Sequence, residues 1–141
     1  MTTMTLDQQQ SIYVLTLTNG DQDNALNQDV LNEYIEIFDE IERDSHNACL
    51  VIQSDHPKTF CNGLDLAWLM QQSMQDKKAF TLQLENMLLR LALLNLPVIA
   101  EINGNAYAGG AILASACDFR LMRADKGRFC FPEVKLTIPF T

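Results

Sequence analysis

Apolar and polar positions along the chain fall into blocks with two different periods. Residues 11–18 (SIYVLTLT) alternate, with Ile12, Val14, Leu15 and Leu17 set against Tyr13, Thr16 and Thr18. A period near two predicts a half-buried strand, and Asn19-Gly20-Asp21 ends it with turn-forming residues. Beyond Asn27, the residues Leu31, Tyr34, Ile35, Phe38 and Ile41 recur at helical spacing. A helix is expected there, with Asn27 as its N-cap and Asp29 in its first turn. Residues 48–53 (ACLVIQ) form a short apolar block with β-branched members, expected as a buried strand. A loop through Phe60, a turn at Cys61-Asn62-Gly63 and a short helix from Leu64 to Met70 follow. Residues 76–95 predict a long amphipathic helix with Phe80, Leu84, Met87, Leu88, Leu91 and Leu94 on one face, stopped by Pro97. Residues 97–102 (PVIAEI) repeat the buried-strand pattern; 103–108 read as loop, 109–117 as helix, and 118–122 and 128–131 as strands.

Strands alternating with helices predict an α/β fold, and the length predicts one domain over residues 1–141. The net charge of −8 argues against unaided binding to nucleic acid or an anionic membrane. It leaves room for an anionic ligand held by backbone dipoles. The four cysteines, Cys49, Cys61, Cys117 and Cys130, form no C-x-x-C pair, and neither His46 nor His56 lies near a cysteine pair. That spacing argues against zinc and for buried, reduced thiols. The N-terminus lacks a basic stretch followed by an apolar one, and no apolar run approaches the ~20 residues of a membrane span. The cytoplasm is the expected location.

Two segments share one plan: a strand, a turn holding glycine, then a helix. The first is LVIQSDHPKTFCNGLDL, with Gly63 at the turn; the second is PVIAEINGNAYAGGAILASACD, with Gly109 and Gly110 at the turn. The glycines do not make G-x-G-x-x-G, and no G-K-[ST] is present, so neither dinucleotide nor phosphate-loop binding is indicated. Taken singly, such glycines are equally well tight turns and helix-packing positions.

Taken together with their neighbours they are more specific. Asn24-Ala25-Leu26-Asn27, Phe60-Cys61-Asn62-Gly63-Leu64-Asp65-Leu66, Pro97-Val98-Ile99-Ala100, Asn103-Gly104 with Gly109-Gly110, Cys117-Asp118-Phe119-Arg120 and Phe131-Pro132-Glu133-Val134 stand in fixed order. In that order and spacing the chain resembles the crotonase superfamily, the enoyl-CoA hydratases and isomerases, over nearly its whole length. The resemblance implies a crotonase-like spiral of repeated β-β-α units and a coenzyme A thioester as the ligand. It implies that the backbone N–H groups of Leu64 and Gly109 form an oxyanion hole. Asn24, Ala25, Leu26, Asp65 and Leu66 match segments that line the adenine pocket, and Lys58 matches a lysine near the coenzyme A phosphates. Gly63, Gly110 and Ile112 fall among the positions that face the substrate. No metal or redox cofactor is implied; coenzyme A travels as part of the substrate. A homo-oligomer, trimer or hexamer, is the implied assembly.

The chain departs from the family pattern in ways that shape the expected chemistry. Hydratases of the family carry two glutamates that hold the attacking water. The first would lie three residues after Gly109, where this chain has Ile112; the second is Glu133. One carboxylate suffices to take a proton from C2 of a 3-enoyl thioester and return it at C4, so an isomerase is the expected enzyme. A hydratase or another crotonase-type reaction is the alternative, and a non-catalytic acyl-CoA-binding protein is the rival from outside enzymes. Phe131, Pro132 and Val134 would desolvate Glu133. The segment Val134 to Pro139 lacks the glycine the family usually has there. The C-terminal helical region that closes the acyl pocket in family members is expected to be absent from these 141 residues.

Overall fold

A hairpin starts the molecule: β1 (Met4–Gln9) pairs antiparallel with β2 (Ile12–Leu17), and Gln10 takes the left-handed turn position at φ 59°. The computed structural model describes residues 2–44 and 48–136; His46 and the last part of the 134–139 segment lie outside them. The remaining elements are α1 (Gln28–Arg43), β3 (Cys49–Ser54), β4 (Thr59–Cys61), α2 (Leu66–Met70), α3 (Met74–Ala92), β5 (Val98–Ile102), β6 (Asn105–Tyr107), α4 (Gly109–Ala116), β7 (Phe119–Met122), β8 (Phe129–Cys130) and α5 (Glu133–Leu136). A single 3-10 turn covers Gly20–Gln22.

From β3 onward the order is one of repetition. Each turn of chain lays one strand in a five-stranded sheet (β1-β2-β3-β5-β7) and one in a three-stranded sheet (β4-β6-β8), then enters a helix. All pairings after the first hairpin are parallel. This is the β-β-α spiral the sequence implied. Its consequence for the site is geometric: β4 lies beside β6, so the turn after β4 lies beside the turn after β6.

Three strands differ from the sequence reading. β1 was not expected, and β4 and β6 fall in segments read as loop. Strands of three residues are too short to display a period, and β1 has polar residues at most positions after Leu6. In β2 the inward face is Tyr13, Leu15 and Leu17, while Ile12 is exposed. Tyr13 belongs to the core because its hydroxyl reaches the rim, where it donates to Asp44 at 2.6 Å. β3 alternates buried and half-buried positions rather than being buried throughout.

The helices follow their predicted faces. Asn27 caps α1 through its side-chain oxygen, which accepts from Val30 N at 3.1 Å. Val30, Leu31, Tyr34, Phe38 and Ile41 are buried, while Ile35 is only partly so. α3 starts two residues before the expected Asp76, capped by Ser73, and ends at Ala92, ahead of Pro97. Its buried face is Phe80, Leu84, Met87 and Leu91. Arg90 on α3 fastens α1 by pairing with Asp39 and with Glu42 at 2.8 Å. Cys61 and Cys117 are buried thiols, whereas Cys49 and Cys130 are half-buried. β7 is an edge strand with every residue exposed, Phe119 and Leu121 included. No helix among the described residues is long and apolar enough to cross a membrane.

Candidate active site

The first glycine turn is anchored from below. Asn24 is buried and turns its side chain inward: Nδ2 donates to Ser54 Oγ and to the Phe60 carbonyl, both at 2.9 Å, and Oδ1 accepts from Asn19 N at 2.9 Å. The Cys61 thiol donates to the Asn24 carbonyl at 3.2 Å. Asp23 and Asn24 both hold left-handed backbone, φ 62° and 47°, which these side chains tolerate better than most. The resemblance implied that the Asn24 segment lines the adenine pocket mostly through its backbone; the structure shows the Asn24 side chain anchoring the turn.

Beyond the anchor the backbone of Leu26 straddles Leu64. Leu26 N donates to the Gly63 carbonyl at 2.8 Å, and Asp65 N donates to the Leu26 carbonyl at 2.9 Å. In extended chain, peptide groups point alternately to the two sides. The Leu64 N–H, in the same planar peptide group as the Gly63 carbonyl, therefore points away from Leu26. Gly63 makes the bend possible with φ +94°. A Cβ there would stand 3.0 Å from Gly109 N and 3.1 Å from the Tyr107 carbonyl.

The second turn meets the first. A Cβ on Gly109 would lie 3.3 Å from Gly63 Cα, so the two turns are in van der Waals contact. Gly110 is held against β4, where a Cβ would collide with the Cys61 carbonyl. Gly109 is the first residue of α4, a position whose N–H has no partner within the helix. Among the described residues, no main-chain hydrogen bond takes up the N–H of Leu64 or of Gly109. The N-terminal end of the α4 dipole adds positive potential at the same place.

Glu133 arrives by the next turn of the spiral. Ala108 N donates to the Cys130 carbonyl at 2.9 Å, closing the β6–β8 pairing immediately before Gly109. Three residues past Cys130, Glu133 opens α5. Its Oε2 is buried with no hydrogen-bond partner among the described residues. A buried carboxylate oxygen left unpaired is costly, and a catalytic role is one of the reasons for which such a group is retained.

A cavity of about 400 Å³ opens beside the first turn, lined by Asp21, Asp23, Ala25, Asn62, Leu64, Asp65 and Leu66 among others. Of the residues singled out from sequence, Ala25, Leu64, Asp65 and Leu66 line it; Gly109, Gly110, Ile112 and Glu133 do not. Asp65 also works on the fold: its Oδ1 caps α2 by accepting from Trp68 N at 2.9 Å. Lys58 precedes β4, at the opposite end of that strand from Gly63, and is exposed. Trp68 packs edge-on against Phe80, ring centres 5.0 Å apart. Asp118 Oδ2 accepts from Val98 N at 2.7 Å and so fixes the start of β5. Burial pushes the Cys61 thiol up to about 12, which keeps it neutral and unsuited to nucleophilic attack. No group of three or more His, Cys, Asp or Glu among the described residues is arranged to hold a metal ion.

Comparison with known proteins gives the same direction. A family model described as enoyl-CoA hydratase/isomerase matches residues 7–139. The short-chain-enoyl-CoA hydratase of Clostridium acetobutylicum is 33% identical over 133 residues, covering 94% of this chain and 51% of that protein. Enoyl-CoA delta isomerase 3 of Arabidopsis thaliana is 30% identical over 142 residues, covering 96% of this chain and 58% of that protein. A solved enoyl-CoA hydratase from Bacillus anthracis superposes with a TM-score of 0.91 at 26% identity, over 97% of this chain and 53% of that one. The chain spans about half the length of the curated relatives it matches.

Proposed function

The chain belongs to the enoyl-CoA hydratase/isomerase family, and from that premise we propose that it serves the isomerisation of 3-enoyl-CoA to trans-2-enoyl-CoA. The observation that carries the reading is the pairing of one buried carboxylate oxygen on Glu133, without a partner among the described residues, with an isoleucine, Ile112, at the position of the first hydratase glutamate. The thioester carbonyl oxygen would accept from Leu64 N–H and Gly109 N–H. Glu133 takes the proton from C2; the electrons of that C–H bond move into the C2–C1 bond, and the oxygen becomes negative. The same proton then returns at C4. The C3–C4 double bond supplies the electrons for the new C–H bond at C4, the C1–C2 pair moves into C2–C3, and the charge on the oxygen returns to re-form the thioester carbonyl. Two fixed donors stabilise the intermediate charge, and each is worth ~10²–10³ in rate. Ile112 offers a water molecule no acceptor, which disfavours addition across the new double bond.

The substrate is an acyl-CoA thioester on this reading, and the chemistry calls on no cofactor beyond it. A homo-oligomer and a cytoplasmic location are further parts of the proposal. A hydratase is the second reading, favoured by the 33% identity to a protein of that name. Incubation with a 3-enoyl-CoA and with a 2-enoyl-CoA separates the two. The isomerase reading expects the conjugated thioester absorbance to rise from the first; loss of that absorbance from the second, with no rise from the first, rejects it.

A further inference from the structure

Ala108 stands in a backbone conformation that side chains avoid, φ 48° and ψ −120°. The region suits glycine, because a Cβ there crowds the adjoining carbonyl. The conformation is imposed from both sides: Ala108 N donates to the Cys130 carbonyl at 2.9 Å, and the Ala108 carbonyl accepts from Ile112 N at 3.0 Å. Its methyl group faces the other glycine turn, since a Cβ on Gly63 would lie 3.1 Å from Ala108 Cβ. One small residue therefore precedes the Gly109 amide in sequence and leans on the residue that precedes the Leu64 amide. We propose that Ala108 is a positioning residue whose strained backbone and methyl group together hold the amides of Leu64 and Gly109 in one arrangement.

The methyl acts as a spacer between the turns, and the strain fixes the direction in which α4 begins. Neither effect touches substrate. The role in turnover rests on the isomerase reading, whereas the ordering of the two amides does not. The test is amide order measured by ¹⁵N relaxation in wild type, Ala108→Gly and Ala116→Gly, the last loosening the far end of α4. Glycine relieves the strain at φ 48°, so Ala108→Gly is expected to fold with a melting temperature equal to or above wild type. Order should fall at both Leu64 and Gly109, although Leu64 is remote in sequence, while Ala116→Gly leaves Leu64 unchanged. Unaltered order at Leu64 in Ala108→Gly overturns the proposal. So does an equal loss in Ala116→Gly, or a failure of Ala108→Gly to fold. In turnover of 3-enoyl-CoA, Ala108→Gly should lower kcat about tenfold with little change in KM. Absence of turnover in wild type removes the isomerase reading and leaves the relaxation result to decide this one.

Discussion

Replacing Glu133 by glutamine keeps the side-chain volume and removes the proton acceptor. On the isomerase reading, turnover of a 3-enoyl-CoA should fall by ~10²–10⁴, the usual contribution of a positioned base, while binding of the thioester persists; isothermal titration beside the kinetic assay checks both halves. Gly110→Ala is expected to act on the fold instead. Its methyl would meet the Cys61 carbonyl, and the backbone at β4 has nowhere to retreat. A loss of about 1–3 kcal/mol or more in urea denaturation is the expected result. Gly63 was legible as a turn position, which its φ of +94° bears out, whereas Glu133 was singled out through the family resemblance. The inward task of Asn24 was not legible, since a buried amide and a ligand-facing one look alike until the Ser54 and Phe60 partners are known. Ala108 gave no signal at all, because backbone strain leaves no mark on residue type.

Helices were legible from period and cap together. Asn27 has β-region backbone and an oxygen on Val30 N, so Asn27→Ala should destabilise by about 1 kcal/mol, read as a lower urea midpoint with unchanged slope. The effect bears on the site, because Asn27 directly follows Leu26, whose backbone clasps Leu64. Strands divided by length. β3 and β5 were visible as apolar blocks, but the three residues of β4 and of β6 carry no period. These two short strands nonetheless set the distance between the glycine turns, and tertiary packing rather than local propensity makes them strands. Gly109 could be named from sequence, whereas its contact with Gly63 needed the pairing of β4 with β6.

Across the whole molecule, the repeated β-β-α turn brings residues 64, 109 and 133 to successive levels of one spiral. The same burial that shields the site ties stability to pH. The Cys61 and Cys117 thiols have ordinary values of 9.0 and are pushed up to about 12, chiefly by desolvation. Folding thus favours their protonated forms. The associated stability is present in full below pH 9.0 and is lost as pH rises from there toward 12. Denaturation measured across that window should show an alkaline limb, and Cys117→Ala should make it shallower. The proposed site makes a sharper demand on the same architecture, since on that reading two amides from different levels meet one oxygen. A crystal structure with a bound acyl-CoA thioester tests this. The thioester oxygen should lie ~3 Å from both Leu64 N and Gly109 N, with the Glu133 carboxylate over C2. A thioester oxygen bonded to neither nitrogen, or to one while the other faces a different cavity, contradicts it.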